Sequence, residues 1–580
     1  MKLSDYIVEY LDKQGVHIVF GYIGGMITHL VDSIAQNENV QFVQTYHEQT
    51  AAIAAEGYAK ESGKFGVAIA TSGPGATNMM TGIADAYFDS IPVLYITGQV
   101  NTNEYKYDKP IRQQGLQETD IVNMVKPITK YAKLVDKAQD IRYELEKAIH
   151  FAMNSRKGPV LLDIPMNIQR AEINPEKLIG FTPDTIKVEI IDYTEIIKLI
   201  VKAQRPMILV GAGSLSPSAK KEISHFIDKT KIPIVSSLLG RGVIDETHPH
   251  YLGMIGSYGN RNANIGIANA DLLIALGTRL DTRQTGALVD KFIEHGMIIH
   301  VDIDRDELEN HRLTNRLKVH TDVYTFMKRI NSSNIETSFS QEWIYYLLKL
   351  KDNYNQNKEI ERFVENKAPY RIMQILNNYS KENDVYCADI GQNQMWAAQT
   401  IQLKKGQEFI TSGGLAPMGF SMPAAIGTAF ANMNKTIYSI NGDGGFHISI
   451  QSLMLISQYN LPIKVFVMNN NALGMITQFQ ESYFEGRMSG TTGIGGYVVP
   501  TIKHIADAYK LSYYLIEEND LKNENLMNEI FSLRNCIIEY KTKGLTTVSP
   551  KLEYNQPIQK PYPFLSDEEQ KGNMLNEIRN

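Results

Sequence analysis

Short runs of β-branched and aliphatic residues recur along the chain, each closed by a glycine-containing turn and followed by apolar residues at helical spacing. That is the pattern of βα units and parallel sheets. The runs fall into three blocks. HIVFG (17–21), VQFVQTY (40–46), GVAIAT (66–71), IPVLYITG (91–98) and PVLLDIP (159–165) form the first. PMILVGAG (206–213), KIPIVSS (231–237), DLLIALG (271–277) and MIIHVDID (297–304) form the second. DVYCADIG (384–391), TIYSINGDGG (436–445), PIKVFVMNN (462–470) and CIIEYK (536–541) form the third. Polar, turn-rich stretches at 172–185 and 331–342 separate the blocks. The expected fold is α/β, with three successive parallel-sheet domains over 1–175, 186–335 and 355–545. A proline-rich tail over 546–580 is expected to lie extended on the surface.

Composition narrows the partners. A chain of 580 residues has room for about three or four domains. Its formal net charge of −6 offers no basic field for nucleic acid. The two cysteines, Cys387 and Cys536, each sit in a strand-like run and form neither a disulfide framework nor a zinc site, which fits a reducing cytoplasm. The N-terminus carries Leu3, Ile7 and Leu11 at helical spacing among acids, so it reads as neither signal peptide nor membrane span.

Candidate chemistry concentrates in the third block. In SINGDGGFHISIQSLMLIS a strand ends at Ile440, glycines surround Asp443, and an amphipathic helix is expected from near His447. Glycine allows close backbone approach, and a helix N-terminus offers free N–H groups, so Gly442, Gly444 and Gly445 suit a phosphate. Asn470 closes the next strand run 27 residues after Asp443. Neighbouring parallel strands end on one edge, which lets Asp443 and Asn470 meet on one ion. With phosphate oxygens and a backbone carbonyl at Ala472 they make a hard oxygen set suited to Mg²⁺. Each piece alone has an ordinary explanation, GDGG as a turn and Asn-Asn as a helix cap.

The pairing of GDG with NN at this spacing resembles the thiamin-diphosphate-binding motif. From near Met1 to about residue 545 the chain is similar to the large catalytic subunits of the acetohydroxyacid (acetolactate) synthase family. Matching segments include FGYIGG (20–25), YHEQTAAIAAEGYA (46–59), TSGPGATN (71–78), LQETDIV (116–122), GMIGSYG (253–259), GTRLDTRQTG (277–286), GQNQMWAAQ (391–399) and PMGFSMPAAIG (417–427). The resemblance implies a pyrimidine-binding, a central and a diphosphate-binding domain, thiamin diphosphate with Mg²⁺, and an active site between subunits of a homodimer or homotetramer. A small regulatory subunit belongs to the same implication. Pyruvate would lose CO₂ and its two-carbon unit would pass to a second 2-keto acid, giving 2-acetolactate.

The same resemblance assigns residues. Glu48 would hydrogen-bond the cofactor's aminopyrimidine, and the small residues after it would let the cofactor ring and a partner subunit approach. Met418 would hold the cofactor bent, a proximity effect. Gly391, Gln392 and Met475 would contact the cofactor, Gln117 would lie near the reaction centre, and Gly25 would lie on the substrate side. Arg283 matches an arginine that holds the acceptor's carboxylate, a task suited to a guanidinium. Two positions depart from the family pattern: Phe479 replaces a tryptophan that favours 2-ketobutyrate, and Leu116 replaces a phenylalanine. With the unusual tail they raise a second acceptor, a nucleotide-linked keto sugar.

GAGS (211–214) lacks the third glycine of a full dinucleotide fingerprint. By resemblance, GAGS, GMIGSYG, GTRLDTR and DIDRDEL follow an FAD pattern, implying structural FAD near Gly211, Gly213, Arg279 and Asp302. Met166 departs from the lysine common at its position. A flavin oxidase and a non-catalytic relative are the remaining alternatives, the latter opposed by the joint presence of Glu48, Asp443, Asn470 and Met418.

Overall fold

The computed structural model describes residues 1–184, 191–333, 335–337 and 339–575. Residue 185 of the first expected linker, the opening 186–190 of the expected second domain, residues 334 and 338 of the second linker, and 576–580 of the tail lie outside these. Among the described residues the strands form three sheets of six. The first holds β1 (Ile18–Tyr22), β2 (Gln41–Gln44), β3 (Gly66–Ala70), β4 (Val93–Gln99), β5 (Tyr131–Leu134) and β6 (Val160–Pro165). The second holds β7 (Pro206–Val210), β8 (Ile234–Ser236), β9 (Tyr251–Met254), β10 (Leu272–Leu276), β11 (Met297–Asp302) and β12 (Arg316–His320). The third holds β13 (Val385–Ala388), β14 (Glu408–Ile410), β15 (Ile437–Gly442), β16 (Ile463–Asn469), β17 (Tyr513–Ile516) and β18 (Cys536–Lys541). Every pairing within the three sheets is parallel. The interior strands β3, β7, β10 and β16 are buried along their length, as helices on both faces require.

Strand order separates the sheets into two kinds. The first runs β2-β1-β3-β4-β6-β5 and the third β14-β13-β15-β16-β18-β17, which is the same order counted within each domain. The second runs β12-β11-β10-β7-β8-β9, the order of doubly wound dinucleotide-binding sheets, with its switch point between β7 and β10. One continuous hydrophobic cluster joins the first and third domains, from Leu3 to Ile537. The central sheet has a separate cluster on each face.

The joint between first and third domains is a pair of small-residue helices, Glu48–Ser62 and Ser421–Ala431. A Cβ on Gly57 would lie 2.1 Å from the Ala424 carbonyl oxygen, and one on Gly427 1.8 Å from that of Ala54. The backbones touch, and only glycine permits it. The small residues after Glu48 were expected to admit a partner subunit. This chain's own third domain packs on them, because alanine and glycine let two helix backbones approach closely.

The tail also departs from expectation. Rather than lying on the surface, it buries Ile558 and Leu565 in one face of the central core. The buried Arg261 guanidinium ion-pairs with Glu359 at 2.8 Å and donates to the carbonyls of Pro561 (3.1 Å) and Pro563 (2.7 Å). A short helix, Asp567–Gly572, follows. There Arg362 holds the Glu569 carboxyl down to about 2, with help from the Tyr354 hydroxyl. No described helix is long and apolar enough to cross a membrane.

Candidate active site

The third sheet brings the motif residues to one edge. β15 and β16 pair in register with Gly442 opposite Met468, so Asp443 and Asn470 leave adjacent strand ends. The helix starts at Asp443 itself, not near His447, and runs only to Ile448 before Ser452–Gln458 resumes. Asp443 is buried. Its Oδ1 accepts from the Tyr497 hydroxyl at 2.8 Å, while Oδ2 is buried with no hydrogen-bond partner among the described residues. Burial pushes this carboxyl up to about 6, against the Tyr497 hydroxyl and the backbone N–H groups of Gly444, Ala472 and Asn471. A buried carboxylate oxygen without a donor is the kind of group a divalent cation satisfies.

Asn470 faces the same turn. Its Oδ1 accepts from the Ala472 N–H at 3.2 Å, and its Nδ2 donates to Thr546 Oγ1 at 2.8 Å. An amide oxygen has two lone pairs, so this one can also take a cation. The N–H of Ala472 binds Asn470 here, while its carbonyl is the group expected to complete the cation's oxygen set. Asn469 serves the sheet, donating to Glu539 at 2.7 Å. Thr546 also donates to Gln392 Oε1 at 2.6 Å, and Gln392 Nε2 donates to Gln478 (3.0 Å) and to the Thr546 carbonyl (2.8 Å). Gln392 is thereby buried, with both its amide hydrogens and one lone pair of its oxygen held within its own chain. Gly391, at φ 134°, turns the chain into the Gln392–Thr400 helix.

Met418 points at the same turn. A Cβ on Gly444 would lie 3.1 Å from Met418 Cε and 3.1 Å from the Tyr497 hydroxyl. The Met418 loop is fixed by buried acids. Asp389 accepts from the N–H groups of Gly419 (2.9 Å) and Phe420 (3.0 Å), and burial pushes its carboxyl up to about 6. A Cβ on Gly445 would strike that carboxylate at 1.8 Å. From the first domain, Asp89 accepts from the N–H groups of Gly413 (3.0 Å) and Gly414 (2.8 Å), and Asp85 from the Ser412 hydroxyl. Burial, then the Asp89 charge, pushes Asp85 up to about 7. Glu56, fully buried beside it, is raised well above the usual carboxylate range.

Glu48 opens its helix, whose N-cap is the His47 ring accepting from Gln49 N–H at 3.1 Å. The carboxylate is buried, accepting from Asn78 Nδ2 at 2.9 Å, and a Cβ on Gly75 would approach it to 3.2 Å. Gly73, at φ 68°, packs on Gln117, which itself stands at φ 63° beside the exposed Leu116. Gly25 lies exposed next to Met26, whose N–H donates to Thr71 of the same TSGPG turn. The structure brings Glu48, Gly25 and Gln117 around that turn. Among the described residues, no hydrogen bond joins Glu48 to Met418, Asp443 or Asn470.

At the central sheet, Gly211 and Gly213 follow β7, Arg279 follows β10 and Asp302 ends β11, all on the carboxyl edge. Gly213 N–H donates to the Gly277 carbonyl at 3.0 Å, and a Cβ on Gly213 would lie 2.8 Å from Gly277 Cα, so these glycines let two turns touch. Asp302 is pushed up to about 6 by burial. Met166 begins the short Met166–Gln169 helix. Arg283 is exposed, its guanidinium 5.5 Å from the Tyr258 ring centroid, and the Tyr258 hydroxyl donates to Met475 Sδ at 3.5 Å. Phe479 lies one turn beyond Met475.

Sequence reasoning missed Asn78, Tyr497, Thr546 and Asp389, which hold the residues it named. It also missed a backbone signature: Tyr46, Gln117, Leu280, Ala416 and Asn471, none of them glycine, have φ between 50° and 63° and flank candidate residues. Such conformations cost about 1–3 kcal/mol each and gather where a site requires them.

The chain matches three domains of the thiamine pyrophosphate enzyme family: the N-terminal TPP binding domain over residues 1–124, the central domain over 193–330 and the C-terminal TPP binding domain over 389–536. It is 37% identical over 498 residues to the acetolactate synthase large subunit of Corynebacterium glutamicum, covering 84% of this chain and 77% of that protein. It is 36% identical over 492 residues to the acetolactate synthase isozyme 2 large subunit of Escherichia coli, covering 85% and 87%. The probable acetolactate synthase large subunit of Methanocaldococcus jannaschii is 35% identical over 551 residues, covering 92% and 90%. The keto-sugar alternative finds no support in these relatives.

Proposed function

The chain belongs to the thiamine pyrophosphate enzyme family as an acetolactate synthase-like enzyme, and on that premise we propose that it condenses two molecules of pyruvate into 2-acetolactate with release of CO₂. The observation that carries the reading is the meeting of Asp443, Asn470 and Met418 at the carboxyl edge of the third sheet, with one Asp443 oxygen buried and without a partner.

Bound thiamin diphosphate supplies the electron sink that lets a 2-keto acid lose CO₂ and pass on two carbons. Asp443 and Asn470 Oδ1 would hold Mg²⁺ against the diphosphate, their oxygen donors being the right chemistry for it. The Gly442–Gly445 turn and Gly391 leave room for phosphate oxygens. Met418, fixed through Asp389, would hold the cofactor in its reactive shape. Glu48 would hold or release a proton at its carboxylate, oriented by Asn78 and screened from water by its burial. Arg283 would clamp the acceptor's carboxylate, with Phe479 limiting its side chain. No hydrogen bond joins Glu48 to the Asp443 site among the described residues, and the reading includes a second copy that completes each site; the relatives' large-subunit names favour a small regulatory subunit. FAD belongs to the proposal too, supported by the strand order of the central sheet and by Gly211, Gly213, Arg279 and Asp302 at its carboxyl edge.

The test is product analysis of the purified chain with pyruvate, Mg²⁺ and thiamin diphosphate. Acetolactate is expected. Consumption of pyruvate without acetolactate would sink the reading. A visible absorption spectrum of the purified protein checks the flavin.

A further inference from the structure

Four consecutive tail residues touch both the segment that carries Arg283 and the helix that carries Phe479. On the arginine flank, Leu552 N–H donates to the Ser257 carbonyl at 2.6 Å, and Ser257 N–H donates to the carbonyl of Arg283 itself at 2.7 Å. Leu552 and Ile558 also pack on Gly286, at the end of the short helix that carries Arg283. On the aromatic flank, the Tyr554 ring lies edge-on to Phe479, with centroids 6.3 Å apart, and 5.1 Å from Tyr483. Phe479 and Tyr483 are 4.8 Å apart, and the Tyr483 hydroxyl donates to the Glu553 carboxylate. Lys551 pairs with Glu553 at 3.1 Å and donates to Ser482 Oγ at 3.2 Å.

This cluster is poorly explained as core. Tyr554 is 67% exposed, Tyr483 40% and Phe479 37%, so all three rings stay open to water and Tyr554 gives up little of its area to the other two. An open aromatic patch beside an arginine is what a small anionic ligand with an apolar side chain would meet. The charges agree: Lys551 neutralises Glu553, so the patch presents no net anion to a ligand carboxylate approaching Arg283.

We propose that Lys551–Tyr554 forms one wall of the acceptor pocket, and that Tyr554 is a specificity-determining residue whose ring, set against Phe479, limits the length of the acceptor's side chain. The inference rests on the proposed function, which assigns Arg283 and Phe479 to the acceptor. Lys551 and Glu553 are positioning residues in it, acting through Tyr483. A hydrophobic pocket discriminates a single methylene by roughly 10–200-fold at most, and removing one wall forfeits part of that.

The experiment gives the full chain, with thiamin diphosphate and Mg²⁺, a mixture of pyruvate and its one-carbon-longer homologue 2-ketobutyrate, and reads the ratio of the two condensation products. Tyr554→Ala is expected to shift that ratio toward the longer acceptor by on the order of tenfold. Tyr554→Phe, which keeps the ring, is expected to hold the wild-type ratio within about twofold. If Tyr554→Ala does not yield folded protein, Tyr554→Leu replaces it, with a smaller shift in the same direction. A Tyr554→Ala or Tyr554→Leu variant that forms product at the wild-type ratio, whatever its melting temperature, overturns the inference and leaves the proposed function standing. A wild-type chain that forms neither product overturns the proposed function, and this inference with it.

Discussion

The first and third sheets follow one strand order and share one core, yet their carboxyl edges carry unlike groups. Each edge presents a buried carboxylate at the start of a helix. Glu48 has a neutral amide donor in Asn78. Asp443 has the Tyr497 hydroxyl on one oxygen and, among the described residues, no hydrogen-bond partner on the other. One environment suits a group that exchanges a proton, the other a group that holds a cation. Equal topology with unequal edges shows that the fold supplies positions and the local donor set supplies function.

The strongest way to break the comparison is Glu48→Gln. It should lower turnover of pyruvate by about 10²–10⁴-fold while leaving the melting temperature unchanged; turnover near wild type would remove Glu48 from proton handling. Asp443→Asn tests the other edge. It should raise the Mg²⁺ concentration needed for half-maximal activity by about 10–100-fold, and an unaltered Mg²⁺ titration would mean the metal is held elsewhere. Gly427→Val tests the joint between the two domains. With the Ala54 carbonyl 1.8 Å from where a Cβ would sit, the loss of stability should exceed the ~1–3 kcal/mol of ordinary overpacking, read as a lower midpoint in thermal unfolding. An unchanged midpoint would show that the helices can part without cost.

The smallest effect is on pH. The Asp85 carboxyl is raised from 3.8 to about 7 in the folded chain. The folded state therefore keeps a proton that the unfolded chain has already released. The stability tied to this group is fully present below its ordinary value, falls as pH rises, and is gone above about 7. Asp89 opposes its ionisation, while the Ser412 hydroxyl, Lys60 and Glu56 favour it. Asp85→Asn, whose amide oxygen can still accept from Ser412, should flatten the plot of unfolding midpoint against pH between 4 and 7; an unchanged slope would assign it to other acids.

Interior strands were legible in the chain, and of the edge strands only β2 was. The thirteen runs identified from pattern all correspond to strands, among them β1, β4, β10 and β16. Those passed over, β5, β9, β12, β14 and β17, are all sheet edges. YAKL of β5 and RLKVH of β12 are half-exposed and interrupted by lysine, as edges that resist pairing must be, and so lose the apolar run. For the site, motif spacing pointed to Glu48, Asp443 and Asn470. It could not point to Tyr497, 54 residues from Asp443, or Thr546, 76 residues from Asn470, because nothing in local pattern records which distant hydroxyl closes a hydrogen bond.

The tail's place in the central core bears on how the protein is made. Ile558 and Leu565 complete a hydrophobic cluster whose other members, such as Met207, Leu273 and Leu347, are synthesised earlier. Domains emerge from the ribosome in order, but here the middle one must wait for residues translated after the third. Until then the part of that face which Ile558 and Leu565 close remains open to water, and the nascent chain needs shielding there after the rest of the cluster has formed.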